Sequence, residues 1–223
     1  MRKDVVPDPA NSRAFYKFLT SVVVPRPIAW VSSTSAEGVD NLAPHSFFTI
    51  ASVNPPIVQF TSVGRKDSVR NIEATGEFVV SFTPEDLFEA VNATATDFPP
   101  ETSEFDAAGL TREPSTAVKP PRVLESPVAL ECRLHLIQEM GDCTLVFGEV
   151  LHAAVSEDVL DGDLPSIAAL RPLSRLGKNE WGTAGTIRTI PRIPVGDWPA
   201  HYRGIRTAPA APEYHAERRK REY

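Results

Sequence analysis

Short runs of β-branched and apolar residues recur along this chain of 223 residues, and polar turns separate them. Runs of this length and composition are typical of strands. The predicted strands cover residues 28–33, 46–53, 57–63, 78–82, 128–137 and 144–155. Because short strands outnumber helices and do not alternate with them, the pattern predicts a mainly β fold: a closed antiparallel β-barrel with a few peripheral helices.

Three short helices are predicted between these strands. The first covers residues 12–20 and places apolar side chains on one face, which indicates a helix that packs against the body of the protein. The second follows Asp67 or Ser68 as its N-cap and ends at Gly76. The third begins at residues 83–86, where Thr, Pro, Glu and Asp form a typical helix start.

The composition is that of an ordinary globular chain, with 42% hydrophobic residues, but 21 prolines disfavour long helices. Residues 95–121 contain five prolines and little periodicity, which predicts a long loop of the kind that often carries function. After Ile190 the chain loses its core pattern. The predicted domains are therefore a barrel domain over residues 1–190 and a Pro-rich arm with a charged tail over residues 191–223.

The charge is negative overall, at −6, and residues 1–200 alone carry −9 because the last 23 residues are basic. An acidic body should repel nucleic acid. No apolar stretch approaches the roughly 18–20 residues that span a bilayer, and the first residues lack the apolar core of a signal peptide. These features predict a cytoplasmic protein that binds neither nucleic acid nor membrane.

The sequence lacks the familiar motifs of nucleotide-binding, hydrolase and metalloprotease sites, namely GxGxxG, the P-loop, GxSxG and HExxH. The five histidines are scattered without the spacing of a metal site. Cys132 and Cys143 lie in strand-like runs, where buried structural thiols are common. We therefore predict no metal site and identify no catalytic acid, base or nucleophile.

One candidate binding feature is the segment SVGRKDSVRNI, residues 62–72, between a predicted strand and a predicted helix. The free N–H groups and the positive dipole at a helix N-terminus favour an anion such as phosphate. Arg65 and Lys66 would add charge-assisted hydrogen bonds. An isolated Arg-Lys pair is also typical of solvated surface, so this segment alone leaves both interpretations open.

A second candidate feature is the segment NLAPHSFF, residues 41–48, a polar turn that leads into a strand. Backbone N–H groups beside aromatic surface suit a planar heteroaromatic ring with acceptor atoms along one edge, and a flavin has that shape. The alternative is that one Phe faces the core and His45 lies on the surface. Trp30 is interpreted as barrel core, and Asn92 either borders a site or ends a helix.

Taken together, these segments resemble the flavin reductase-like family of FMN-binding split-barrel proteins. The resemblance spans about residues 20–182. It rests on eight segments in the expected order: PRPIAWVSS, NLAPHSFF, NPPIVQF, GRKDSVRNI, TGEFVVSF, NATATDFPPETSEFDAAGL, KPPRVLESPVALECRL and GEV. Trp181 stands where the family commonly carries Tyr, so the resemblance does not predict which residues form the far wall of the pocket.

The resemblance implies a homodimer of six-stranded Greek-key barrels with FMN near the subunit interface. It implies that Asn41, Ala43, His45, Ser46 and Phe47 lie beside the flavin ring and ribityl chain, and that Ser62, Arg65, Lys66 and Ser68 cradle the phosphate. FAD is the alternative flavin.

The activity that the resemblance implies is that of an NAD(P)H:flavin reductase, an oxidoreductase that supplies reduced flavin to an acceptor such as a monooxygenase. A carrier or electron-transfer protein that binds FMN without nicotinamide-dependent turnover is the alternative function. In either case the flavin itself would supply the redox chemistry, which fits the lack of an identified acid or base.

Overall fold

The structure, a computed structural model, describes residues 1–99 and 101–198. The chain divides into two compact units, Met1–Gly185 and a second unit that begins at Thr186. In the second unit, residues Val195–Asp197 form a 3₁₀ turn. The basic tail predicted near the C-terminus lies outside the described residues, and the predicted domain boundary at residue 190 stays a prediction.

Strands dominate the described part of the chain, in agreement with the predicted fold class. The strands are β1 (Ala29–Thr34), β2 (Asp40–His45), β3 (Phe48–Ser52), β4 (Ile57–Val63), β5 (Glu77–Ser81), β6 (Arg112–Glu113), β7 (Arg122–Val123), β8 (Val128–Met140), β9 (Cys143–Val155), β10 (Leu160–Asp161), β11 (Leu164–Pro165), β12 (Ser174–Arg175) and β13 (Trp181–Gly182). The α-helices are α1 (Ser12–Val22), α2 (Asp67–Thr75), α3 (Phe88–Ala93), α4 (Glu104–Ala107) and α5 (Ile167–Leu170).

The main sheet is antiparallel and has the strand order β2-β1-β5-β8-β9-β4-β3. Its two edge strands, β2 and β3, are one stretch of chain interrupted only at Ser46 and Phe47. The N–H of Thr61 in β4 donates to the carbonyl of Phe47 at 2.8 Å, beside this interruption. The sheet therefore closes on itself as a barrel of six strands, one of which is split, and the predicted barrel is confirmed.

The barrel interior is apolar and includes the inner side of α2. Its buried side chains are Ala29, Val31, Val58, Phe60, Val69, Ile72, Phe78, Val80, Cys132 and Val146. A second cluster outside the barrel contains Ile28, Trp30, Leu42, Val91, Phe105, Leu110, Val123 and Leu173. Since β1 lies between the two clusters, it is buried on both faces. Trp30 is core, but it belongs to the cluster outside the barrel and not to the predicted barrel interior.

Gly148, in the middle of β9, lies close to the side chains of Phe78 and Cys132 inside the barrel. A Cβ at this position would lie 2.2 Å from Cζ of Phe78 and 3.0 Å from Cβ of Cys132. Any larger residue would therefore overlap the Phe78 ring. This contact gives the glycine of the GEV segment a packing role.

α1 differs from its prediction as a packing helix. None of its residues is buried, and Phe18 and Leu19 are 40% and 45% exposed. Phe15 packs mainly against Phe18 of the same helix, at 5.5 Å between ring centroids. The apolar face was correctly recognised, but it lies open over the described residues instead of covering the core.

β8 departs from the predicted strict alternation of apolar and polar faces. Its register against β9 shifts at two places, and after the shift between Leu134 and Leu136 it is Ile137 that packs against the core, whereas Leu136 is 49% exposed. Glu131 stays on its predicted face but is completely buried, because its carboxylate accepts hydrogen bonds from the N–H groups of Thr116 and Ala117 in a covering loop. Cys132 is buried as predicted, and burial raises the pKa of its thiol to about 12, which suits a structural role.

Candidate functional site

A cavity of about 420 Å³ lies where β2 ends, β4 ends and α2 begins. All nine residues that the sequence predicts for the site line it: Asn41, Ala43, His45, Ser46, Phe47, Ser62, Arg65, Lys66 and Ser68. The fold thus brings the two predicted segments, 41–48 and 62–72, together around one space. The cavity has the size and mixed polar and aromatic lining typical of a small-molecule site.

The anion end of the cavity is the N-terminus of α2. The predicted cap at Asp67 or Ser68 is wrong by one or two positions, because Lys66 is the N-cap and neither side chain caps the helix. The N–H groups of Asp67 and Ser68 belong to the first turn, where the helix offers them no backbone acceptor. Gly64 makes the preceding tight turn possible, since its φ of +76° is strained for other residues.

The cations at this end are each paired with a carboxylate. Arg65 bonds Glu73, and Arg70 bonds Asp67 within α2. Lys66 Nζ lies 2.9 Å from Oδ1 of Asp97. The side chains of Arg65 and Lys66 are about half exposed, so water screens their ion pairs. Replacing either carboxylate partner with a bound anion therefore costs little free energy.

A buried chain of polar side chains forms the floor of the cavity. Asn41 Nδ2 donates to Ser68 Oγ at 3.2 Å, and Ser68 Oγ lies 3.3 Å from Nε2 of His45. Burial, with a further contribution from the charge of Lys66, lowers the pKa of His45 to about 4. His45 is therefore neutral at pH 7, and its Nε2 can accept a hydrogen bond from the Ser68 hydroxyl.

Ser62 and Glu104 complete the polar lining. Ser62 is fully buried, and its hydroxyl donates to the carbonyl of Gly64 at 2.8 Å, so it holds the turn before α2. Glu104 accepts a hydrogen bond from the N–H of Leu42 at 2.8 Å. Burial raises the pKa of Glu104.

Part of the cavity lining is aromatic. Phe47 lies in the interruption between β2 and β3, and the Tyr16 ring of α1 is 6.4 Å from the Phe47 ring. Behind them, Arg26 lies 5.9 Å from the Phe47 ring centroid and 3.5 Å from Oγ of Ser46. The cavity lining thus combines the cations at the start of α2 with the aromatic rings of Tyr16 and Phe47.

Sequence reasoning missed part of the lining. Tyr16, Arg70, Glu104 and residues 94–98 also face the cavity. The proline-rich composition after residue 95 suggested a functional loop, but nothing local marked Glu104 or Tyr16. Asn92 is exposed and does not line this cavity.

Trp181 lies elsewhere in the first unit, away from this cavity lining. It packs edge-on against Phe88 at 5.1 Å and lies under the Arg175 guanidinium at 4.5 Å. Its departure from the family pattern therefore does not alter the walls of the cavity.

The part of the chain that forms the barrel and the cavity is also the part that resembles known proteins. Residues 21–172 match the flavin reductase like domain. The chain belongs to the flavin reductase-like family. An uncharacterized protein of Aquifex aeolicus is 42% identical to this chain over 168 residues, which cover 73% of this chain and 86% of that protein.

Solved structures support the membership of the flavin reductase-like family and its split-barrel fold. Nitrilotriacetate monooxygenase component B from Bacillus cereus has a TM-score of 0.79 and 33% identity, covering 85% of this chain and all of that one. The 2-nitrobenzoate 2-nitroreductase of Pseudomonas fluorescens has a TM-score of 0.79 and 28% identity, covering 94% and 100%.

The described ranges contain neither a candidate membrane span nor a candidate metal site. No helix there combines the length and apolar character of a membrane span. No group of three or more His, Cys, Asp or Glu side chains in those ranges is arranged to bind a metal ion.

Proposed function

We propose that the protein is an FMN-binding oxidoreductase, an NAD(P)H:flavin reductase that passes a hydride from reduced nicotinamide to the flavin. The observation that carries the proposal is the convergence of all nine predicted residues on one cavity whose lining combines cations and aromatic rings. Family membership supports the flavin reductase activity. The cytoplasmic location stays a prediction.

The residues of the cavity fit FMN in polarity and charge. The N–H groups that begin α2, with Arg65 and Lys66, would hold the phosphate. The predicted polar turn is the end of β2, followed by the interruption at Ser46 and Phe47. This segment and the Tyr16 ring would hold the isoalloxazine, since an aromatic wall favours a planar ring. The polar floor of Asn41, Ser68 and His45 would face the ribityl hydroxyl groups.

FMN fits better than FAD because of the neighbouring cavity. This second cavity, of about 530 Å³, shares Asn41, Asp67, Arg70, Phe98 and Glu104 with the first. Its ionisable lining consists of Glu37, Asp40, Asp67, Glu101 and Glu104 against Arg70. A second phosphate would enter an acidic environment there, which disfavours a dinucleotide.

The bound flavin would itself accept and return the hydride. The protein's own residues would bind it, orient it and keep the charge near it fixed. His45 contributes as a neutral group because its pKa of about 4 keeps it uncharged at pH 7. Reduced flavin would then pass to an acceptor such as a monooxygenase, a role supported by the likeness to a nitrilotriacetate monooxygenase component.

The cofactor assignment is tested by fluorescence titration with FMN. Replacing Arg65 and Lys66 together with Ala should weaken FMN binding about tenfold or more, because two charge-assisted hydrogen bonds to the phosphate are lost. Arg133→Ala is the matched control, since Arg133 on β8 is a similarly exposed cation that pairs with Glu149 on β9. Unchanged affinity in the double variant would refute the phosphate assignment.

The activity is tested by adding NADH or NADPH to the FMN-loaded protein without oxygen. Bleaching of the flavin absorbance band within seconds with either donor is the expected result. A band that persists with both donors would reject the reductase and leave the FMN carrier as the function.

A further inference from the structure

Asp97 is the carboxylate that connects two walls of the candidate flavin cavity. It lies on the loop of residues 94–99 that follows α3, and it pairs with Lys66 at the start of α2 at 2.9 Å. Both residues line the cavity. The Asp97 side chain is 87% exposed, so its charge is held at this position mainly by the pairing with Lys66.

The other two ion pairs at the anion end have a different geometry. Glu73, the partner of Arg65, is not part of the cavity lining. Asp67 lies three residues before its partner Arg70, so that pair stays within one turn of α2. Asp97 alone among these three carboxylates reaches the cavity from a separate element.

This position makes Asp97 a competitor of any anion that binds Lys66. A phosphate oxygen at an ordinary hydrogen-bond distance of about 2.8 Å from Lys66 Nζ would lie within roughly 6 Å of the Asp97 carboxylate. The phosphate must then either displace Asp97 or bind beside a like charge. Each alternative weakens phosphate binding.

We propose that Asp97 lowers the affinity of the cavity for the flavin phosphate and so makes FMN an exchangeable ligand, a substrate that leaves after reduction. The inference rests on the proposed function, because it assigns the phosphate to Lys66. It concerns the lifetime of the bound flavin, not the hydride transfer. A reductase that supplies flavin to a second protein needs such release.

The test is a comparison of FMN and riboflavin binding to the parent protein and to Asp97→Asn. Asparagine keeps the shape of the side chain but removes its charge. FMN should bind about two- to fivefold more tightly to the variant, the range expected for one exposed ion pair, and should dissociate more slowly in stopped-flow exchange. Riboflavin, which lacks the phosphate, should bind both proteins equally.

Glu101→Gln is the matched control, because it removes one negative charge near residue 97 from a side chain that lines only the second of the two cavities. FMN affinity in this variant should equal that of the parent. If Asp97→Asn binds FMN no more tightly than the parent, or tightens FMN and riboflavin alike, the role of Asp97 is refuted while the proposed function stands. If the parent binds neither flavin, the proposed function fails, and this inference fails with it.

Discussion

His45 illustrates how one residue joins the barrel core to the candidate site. Its ring packs on Phe60 at 4.6 Å, and its Nε2 lies beside Ser68 at the start of α2. Burial is the main reason that its pKa falls to about 4, and the nearby Lys66 charge adds to the effect. The barrel therefore holds a neutral imidazole under the cationic end of the cavity.

This depressed pKa predicts a loss of stability in mild acid. Between pH 6.5 and 4 the unfolded chain binds a proton at His45 that the folded chain does not, so stability falls as the pH drops through this window. His45→Gln should remove this contribution to the change in the free energy of unfolding, which is at most about 3 kcal/mol over the window. Urea unfolding at pH 7 and pH 4.5 measures it.

His135→Gln is the control, because His135 is exposed. Burial raises the pKa of Glu104, which gives stability the opposite pH dependence, but this contribution is common to all the proteins compared. An unchanged slope in His45→Gln would contradict the assignment.

At the scale of elements, Arg26 fastens the end of α1 to the barrel. Its guanidinium donates to the carbonyls of Thr20 and Val23 near the C-terminus of α1, and to the carbonyl of Leu176 at 2.9 Å. A cation is favourable there because the helix dipole is negative at that end. Since α1 buries no residue, these bonds replace the packing that most helices rely on.

Arg26→Ala should therefore release α1 and destabilise the protein by about 2–3 kcal/mol, since several charge-assisted hydrogen bonds are lost. Urea unfolding measures the stability, and limited proteolysis detects the released helix. Arg26→Lys should recover only part of the loss, because one ammonium cannot reproduce the guanidinium fork. Arg13→Ala, at the exposed start of the same helix, serves as control; equal effects at both positions would refute the role of Arg26.

Local patterns were sufficient for the longer strands other than β2 and for the three predicted helices, but they missed the two-residue strands and predicted a polar turn where β2 lies. The glycine at the end of α2 and the β8–β9 hairpin, for example, follow from turn residues and period-two alternation. The contacts between Asn41, Ser68 and His45 could not be predicted from spacing, because they join residues 23 and 27 positions apart. The burial of Glu131 depends on the loop at residues 116–117, which covers its carboxylate and which local strand propensity does not encode.

At the scale of the whole molecule, exposed apolar side chains in the described residues include two groups within the first unit. One is α1 with the residues after it, where Val22 and Val23 are more than half exposed. The other includes Ile50 on β3 and Val53 after it, at 74% and 88% exposure. Clusters of this kind commonly mark protein–protein interfaces, which supports the homodimer that the family resemblance implies.

The homodimer is tested by light scattering with size-exclusion chromatography. At micromolar concentration the mass should be about twice the 24.4 kDa of one chain. A second run after dilution to nanomolar concentration measures how tightly the subunits associate. A mass of one chain at micromolar concentration would contradict the homodimer.

The split strand has a consequence for how this barrel could acquire new specificities. The stretch from β2 to β3 seals the sheet and also forms one wall of the cavity, so an insertion there would open the barrel seam. The loop at residues 94–99 forms another wall without belonging to the sheet. Directed evolution toward bulkier electron acceptors should therefore accumulate length changes in that loop, whereas the sealing strand should accept only point substitutions.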